Sequence, residues 1–392
     1  MRFTIITYLE HKQEEDIFYS YAPYIREMNL WLKHVDEVEV VAPLLNSPVK
    51  STELAYASKR LFFTKIPAIN LLSARYAFLA FLKLPKIILK VFKAMKRSDH
   101  IHLRCPGNIG LIACFVQIFF PKKPKTAKYA GNWDPEAKQP WSYNLQKWLL
   151  KNTFLTRNMQ VLVYGDWPHQ SRNIKPFFTA SFSEKEKQEV LEKNFEAPFT
   201  FLFVGNLVKG KHPLQAIQLV QQINKELDLS FEPRNIILEI YGDGPEMKML
   251  KAYCKAENIE QLIVFKGSRP LEEVKKAYQK AHFLILPSQS EGWPKAVAEA
   301  MFFGCIPVST PVSCVPWMLD YGNRGILLSD QANGQQRMVN GSKEWPVALT
   351  RIVEIMKDAA EMKRMSEAAK QWSQQYTLER FEEAIKEVLR KV

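Results

Sequence analysis

The sequence predicts an α/β protein built from two Rossmann-like domains in tandem. Three observations predict it. Short apolar runs of strand length alternate with amphipathic helical runs in both halves. The alternation breaks once, at a polar and charged stretch over 181–197. The 392 residues suit two domains at roughly 150 residues each.

In the first half, strands are expected over 3–8, 38–41, 101–103 and 126–129, with a helix over 109–119. Pro85 is expected to open a further helix. In the second half, a strand over 200–204 runs into the turn Gly205-Asn206 and a helix over 214–227. A strand over 235–241 is closed by Gly242-Asp243-Gly244-Pro245. Helix and strand then alternate: helix 247–257, strand 262–265, helix 271–281, strand 282–286, helix 294–303 and strand 306–309. Three helices close the chain over 345–360, 362–376 and 378–389. The expected domains are 1–180 and 198–370, with a terminal helical segment over 371–392.

Composition narrows the class. With 47% hydrophobic and 24% charged residues, the chain reads as globular rather than disordered. Cys105, Cys114, Cys254, Cys305 and Cys314 form no CxxC pair and read as buried thiols in a reducing compartment. The opening MRFTIITYLEHK reads as a strand, not a signal peptide. The longest nearly apolar stretch, 12 residues over 109–120, is too short to span a bilayer. A cytoplasmic protein is the expectation.

Charge is uneven. Residues 1–180 hold 26 Lys and Arg against 13 Asp and Glu; residues 181–392 hold 28 of each. The whole excess of +13 therefore lies in the first half, which points to an anionic partner or to solubility. Lys83, Lys86, Lys90, Lys93 and Arg97 recur at steps of three and four, so they share one helical face. Leu84, Ile88, Val91, Phe92 and Met95 fall nearly opposite and are expected to face the sheet. Such a basic amphipathic helix either carries solvated lysines or lies on an anionic membrane. No nucleic-acid signature accompanies it, and no aromatics interleave the stripe in the way stacking on bases requires.

The most informative window is Ser288-Gln-Ser-Glu291-Gly292-Trp293-Pro294-Lys295-Ala-Val-Ala-Glu299-Ala-Met. It joins a strand to a helix, the place where open α/β sheets bind ligands. Pro294 suits a first helical position, and the free amides there suit phosphate. Glu299 lies among apolar neighbours inside the helix, where a carboxylate answers a polar ligand or a buried partner.

This Glu-x7-Glu pattern, followed by Gly304-Cys-Ile-Pro307, resembles the retaining glycosyltransferases of the GT-B fold, family four (glycosyl transferases group 1). The resemblance covers about 199–328. It implies two Rossmann-like domains facing across a cleft, with C-terminal helices crossing back to the first domain. It implies transfer of a sugar from a nucleoside diphosphate, UDP or GDP, to a glycan or lipid-linked acceptor, without a metal. Phe203-Val204-Gly205-Asn206-Leu-Val-Lys209-Gly-Lys211 is similar to the family's turn facing the donor diphosphate. Lys211 takes the cation's place, with Lys209 second; Asn206 stands where the family usually has Arg. Glu291 would face the transferred sugar and Glu299 the ribose. The amides around Gly292 and Trp293 would help hold sugar and phosphates. Ser313-Cys-Val-Pro316 replaces the family's glycine pair at the later loop.

In the first half, Asp134 and Asn132 follow a strand and either face the sugar or cap a turn. His11 and Arg104 are further acceptor-side candidates, Arg104 sharing a strand face with His102. The predicted function is a retaining transferase of cell-surface polysaccharide synthesis, cytoplasmic or peripheral on the inner face of the membrane. The alternatives are a GT-B nucleotide-sugar epimerase and a degenerate protein that binds the sugar nucleotide without turnover.

Overall fold

The computed structural model describes all residues except 51, 59, 70–73, 228–235, 330–344 and 391–392, and only the backbone of 74–80. The chain divides into two units, one of residues 1–178 with 381–392, the other of residues 179–380.

The first unit holds strands β1 (Arg2–Ile6), β2 (His11–Glu14), β3 (Ile17–Tyr21), β4 (Glu37–Leu45), β5 (Glu53–Ala55), β6 (Leu61–Ile66), β7 (His100–Cys105), β8 (Lys125–Tyr129), β9 (Met159–Tyr164) and β10 (Ile174–Phe177). Its helices are α1 (Ala22–Leu32), α2 (Ala74–Arg97), α3 (Asn108–Val116) and α4 (Trp141–Lys151). The parallel order β10-β9-β8-β7-β1-β4 forms the body of the sheet, with β6 also on β4. An antiparallel extension, β2-β3-β5, continues from β4.

The central strands of this body are buried on both faces, as parallel strands covered by helices must be, although β7 and β8 bury His100, His102, Lys125, Thr126 and Lys128 among their apolar residues. One face packs under α2, α3 and α4 through Ile87, Val91, Ala113, Cys114 and Leu149. On the other, Trp31 of α1 stacks on Phe3 and His102 at ring distances of 5.9 and 4.9 Å. The chain's end joins this face, with Phe381 5.5 Å from both Phe177 and Phe178.

The second unit is a six-stranded, fully parallel sheet. Its strands are β11 (Phe199–Val204), β12 (Ile236–Tyr241), β13 (Ile263–Gly267), β14 (Phe283–Leu286), β15 (Ile306–Ser309) and β16 (Ile326–Leu327), in the order β13-β12-β11-β14-β15-β16. Its helices are α5 (Pro213–Leu227), α6 (Met247–Ala256), α7 (Leu271–Lys280), α8 (Lys295–Phe302), α9 (Val315–Met318), α10 (Pro346–Met356) and α11 (Ala359–Ser373), while α12 (Leu378–Arg390) belongs to the first unit from Phe381 on. Asn235, where the sequence expectation begins β12, lies outside the described residues.

Two expectations need correction. Pro85 lies inside α2, which begins eleven residues earlier at Ala74. The buried stripe of α2 is Ile87, Val91, Ala94 and Met95, while Ile88 and Phe92 are exposed. The helix carries two apolar stripes, and the i, i+4, i+7, i+8 set is the one the sheet covers. The unit boundary also falls differently. The 181–197 stretch and residues up to 380 belong to the second unit, because Trp372 and Tyr376 stack in an aromatic cluster with Trp293.

Candidate functional site

In the second unit the strand order reverses between β11 and β14: the chain goes outward through β12 and β13, then returns to lay β14 on the other side of β11. The carboxyl ends of the strands at such a reversal point are where open α/β sheets bind ligands. Lys211 follows β11 and Glu291 follows β14. Gln289 N–H donates to the Gly210 carbonyl at 2.9 Å and ties the two loops together. The Lys211 ammonium is ion-paired with the Glu291 carboxylate. Lys209 is exposed, so the structure separates the two lysines and brings only Lys211 to the glutamate.

The turn carrying Lys211 is rigid for a stated reason. Gly205 N–H donates to Tyr241 O at 3.0 Å, and Leu207 N–H donates to Asp243 O at 2.9 Å. The two strand-end turns pack backbone to backbone. A Cβ on Gly242 would stand 1.9 Å from Gly205 O, and one on Gly244 2.4 Å from Leu207 O. Glycine is required by this approach. Gly242-Asp243-Gly244-Pro245 is thus a buttress for the Gly205-Asn206 turn. Asn206 is exposed on it.

Glu299 projects from α8. Its carboxylate accepts from Ser181 Oγ at 2.6 Å and from the Tyr278 hydroxyl at 3.2 Å. Burial, then the neighbouring Glu299 charge, pushes the Tyr278 phenol well above its ordinary value, so this hydroxyl stays a donor. The two glutamates of the pair are therefore engaged separately, Glu291 on a cation and Glu299 on two hydroxyls. Neither hydroxyl partner was visible in the sequence; Ser181 lies 118 residues away.

Between them the Gly292 carbonyl accepts from Ser313 Oγ at 2.9 Å. The loop that replaces the glycine pair thus holds the glutamate loop by side chain. The Trp293 indole is 6% exposed, 6.2 Å from Trp372 and 5.6 Å from Tyr376. Its side chain anchors the loop. Pro294 precedes α8 as its cap rather than as its first residue.

The first unit has the same topology. Its order reverses between β1 and β7, and a hollow of about 590 Å³ lies at their carboxyl ends, lined in part by Tyr8, Glu10, Tyr21, Asn108 and Tyr143. The sequence reading made none of these a site residue. The signal available was position, immediately after the ends of β1 and β7.

The acceptor-side candidates lie elsewhere. His11 is fully buried. Its ring nitrogens meet Leu9 O at 2.9 Å and the Tyr56 hydroxyl at 2.8 Å, and burial pushes the imidazole down to about 4. It is a neutral core residue, which corrects the expectation of an acceptor-side histidine. Arg104 pairs with Glu27 at 3.3 Å and lies 5.3 Å from the Tyr24 ring centre, so its charge is answered within the first unit. Asn132 Oδ1 accepts from Asp134 N–H, and Asp134 Oδ1 from Glu136 N–H, both at 2.9 Å. Both side chains cap a turn in the Asx manner.

Comparison with known proteins fits this geometry. Residues 184–372 match the model of the family described as glycosyl transferases group 1. The chain is 30% identical over 139 residues to a putative colanic acid biosynthesis glycosyltransferase, WcaL, of Salmonella typhimurium; the match covers 34% of this chain and 33% of that protein. The chain thus aligns with about a third of the length of that relative. Among solved structures it is similar to sucrose-phosphate synthase from Thermosynechococcus elongatus, with TM-score 0.63 and 15% identity over 100% of this chain and 98% of that one. It is also similar to Anabaena HepE in complex with UDP, with TM-score 0.61 and 14% identity over 100% of both chains. Residues 184–372 thus carry a likeness to the glycosyl transferases group 1 family over just under half of the chain, and the two Rossmann-like units are those of the GT-B fold.

Proposed function

We propose that this chain transfers a sugar from a nucleoside diphosphate, UDP or GDP, to a glycan or lipid-linked acceptor, with retention of configuration, in the synthesis of a cell-surface polysaccharide. The observation that carries the reading is the Lys211–Glu291 pair at the reversal point of the second sheet. A diphosphate gains negative charge as the glycosidic bond breaks, and a fixed ammonium lowers the energy of that charge. Glu291, released from Lys211 by the diphosphate, accepts hydrogen bonds from the sugar hydroxyls. Glu299 exchanges the Ser181 and Tyr278 hydroxyls for those of the ribose. The amides of Gly292 and Trp293 meet sugar and phosphates, and Asn206 with Lys209 lines the outer side of the diphosphate. On the same-face route to retention, a donor phosphate oxygen takes the acceptor proton, so neither glutamate acts as nucleophile. The acceptor occupies the first unit; its hollow beside Tyr8 and Tyr143 has the size and aromatic lining a sugar needs.

The relative named for colanic acid synthesis and the UDP bound by HepE support the polysaccharide and nucleotide parts of this reading. The protein works in the cytoplasm and touches the inner membrane face through α2. There Lys83, Lys86 and Lys93 are exposed, whereas Lys90 donates to Lys65 O and Arg97 pairs with Glu39.

The test is a thermal-shift panel of UDP, GDP, ADP and their sugars, followed by donor turnover with and without a glycan acceptor. A ligand that binds only the folded state raises the melting point. UDP or GDP should do so. A donor altered in the absence of acceptor would mark an epimerase. Binding without turnover on every acceptor would mark a protein that has lost catalysis. A panel in which no nucleotide raises the melting point would end the proposal.

A further inference from the structure

α2, α3 and α4 form one layer over the first unit's sheet, sharing a single core beneath them. None of the three helices contains an Asp or Glu. From Ala74 to Trp133 the sequence has one acid, Asp99, against 12 Lys and Arg.

The outward side chains of this layer are unusual. The exposed residues of α4 are Trp141, Asn144 and Trp148, at i, i+3 and i+7. The two tryptophans are 74% and 58% exposed. The one exposed residue of α3 is Phe115, and Phe119, one turn further on, is 73% exposed. Along α2, exposed Phe81, Leu82, Leu89 and Phe92 alternate with exposed Lys83, Lys86, Lys93 and Lys96. Phe92 lies 6.4 Å from Phe119, so the α2 and α3 surfaces are continuous. At the lower edge, a hollow of about 930 Å³ contains Lys122, Arg157, Arg172 and Lys175 and no acid.

We infer that this outer face of the α2–α3–α4 layer seats in an anionic bilayer surface, with Trp141, Trp148, Phe115 and Phe119 in the headgroup–acyl boundary and the lysines on lipid phosphates. The inference deepens the membrane contact proposed above, from a charged stripe on one helix to an inserted aromatic face. Three features select this occupant. Tryptophan and phenylalanine beside lysine, without acids, is the composition of interfacial helices. Protein interfaces enrich aromatics but deplete lysine. A second copy of the same face would bring like charges together, which disfavours self-pairing. The cations of the lower hollow extend the same field to the headgroups.

The experiment is co-sedimentation of the full chain with phosphatidylcholine vesicles, with and without phosphatidylglycerol. Two variants are compared, Trp141→Ser/Trp148→Ser and Lys86→Glu/Lys93→Glu. All four positions are exposed, and circular dichroism with thermal melting checks that each variant folds. Binding should require phosphatidylglycerol. It should fall about a hundredfold in the tryptophan variant, at about tenfold per ring removed from the boundary. In the lysine variant it should fall at least about twenty-fivefold, at about fivefold per lost cation. Wild-type tryptophan emission should move to shorter wavelength on anionic vesicles, and that movement should vanish in the tryptophan variant, although seven of the nine tryptophans remain. Unchanged vesicle binding by the tryptophan variant would overturn the inserted face, and if the lysine variant still lost binding, only the charged contact on α2 would survive. Equal binding to neutral vesicles would overturn the anionic preference. Concentration-dependent dimers without vesicle binding would assign the face to a second copy and refute the inference. Nucleotide-induced melting shifts, read on the same samples, report on the second unit and so separate this outcome from the fate of the transferase reading.

Discussion

Replacing Lys211 by alanine should separate the site's chemistry from its architecture. The ammonium is the one cation that the described residues pair with Glu291. If it meets the departing diphosphate, its loss removes a charge contact that strengthens in the transition state, about 3 kcal/mol or a hundredfold to thousandfold in turnover. The same change strips Glu291 of its partner. The Lys211 and Glu291 side chains are 29% and 10% exposed. Orphaning a fully buried charge costs about 3–5 kcal/mol; water at this rim reduces that to about 1–2 kcal/mol, a melting point lower by about 3–6 °C. Lys209→Ala is the internal control. Its side chain is solvated, so turnover should change less than about threefold and stability by less than about 0.5 kcal/mol. Steady-state release of UDP or GDP, with differential scanning fluorimetry on the same samples, reads both quantities. Equal turnover losses in the two variants would refute the assignment of Lys211 to the diphosphate. So would a Lys211→Ala protein that melts lower yet keeps its turnover.

Glu299→Ala should weaken nucleotide binding about tenfold by isothermal calorimetry, since a carboxylate hydrogen bond is worth about 1.5–3 kcal/mol; unchanged affinity would remove the ribose role. Gly242→Ala should destabilise the second unit by about 3 kcal/mol or more, because its Cβ would stand 1.9 Å from Gly205 O. A wild-type melting curve would show that the two turns are not in contact. Acid should weaken the first unit. Burial pushes the His11 and His100 imidazoles down to about 4, below the unfolded value of about 6.5. The unfolded chain therefore takes up protons first, and stability falls as pH drops from about 6.5 towards 4. At pH 5 the loss is about 2 kcal/mol for each histidine. Urea titrations at pH 7 and pH 5 measure it, and equal stabilities would refute the buried neutral state.

The second unit was legible because its strands are predominantly apolar runs, such as Phe-Thr-Phe-Leu-Phe-Val in β11, punctuated by glycine turns and amphipathic helices. A sheet buried on both faces writes itself into sequence in that way. The first unit hid more. β2 is His-Lys-Gln-Glu and β5 is Glu-Leu-Ala, edge pieces with too little apolar pattern to stand out. α2 offers two apolar stripes, and only the sheet beneath decides which is covered. His11 looked available because it follows the first strand; its burial under Tyr56 depends on a residue 45 positions away. The Glu-x7-Glu spacing located the glutamates, but their partners, Lys211 for one and Ser181 with Tyr278 for the other, come from segments that only the fold assembles.

The same topological rule places both candidate sites. Each sheet begins with a central strand, builds outward on one side, and returns to build on the other. At the return lies the reversal point, where open α/β sheets bind ligands beyond the strands' carboxyl ends. What distinguishes the two places is chemistry. At β11 and β14 the loops present an ammonium and carboxylates, groups that answer a charged nucleotide. Around the ends of β1 and β7 stand Tyr8, Tyr21 from the end of β3 and Tyr143 from α4, flat rings with hydroxyls of the kind that answer a hydroxyl-rich sugar. The basic excess of the first unit contributes no lysine or arginine to that hollow apart from Lys50. It is concentrated instead on the helix layer and on the lower edge, whose own hollow holds Lys122, Arg157, Arg172 and Lys175. Charge that avoids the polar hollow and gathers beside exposed tryptophan is placed for a surface, so the proposed membrane face and the proposed sugar site fall on different parts of one unit.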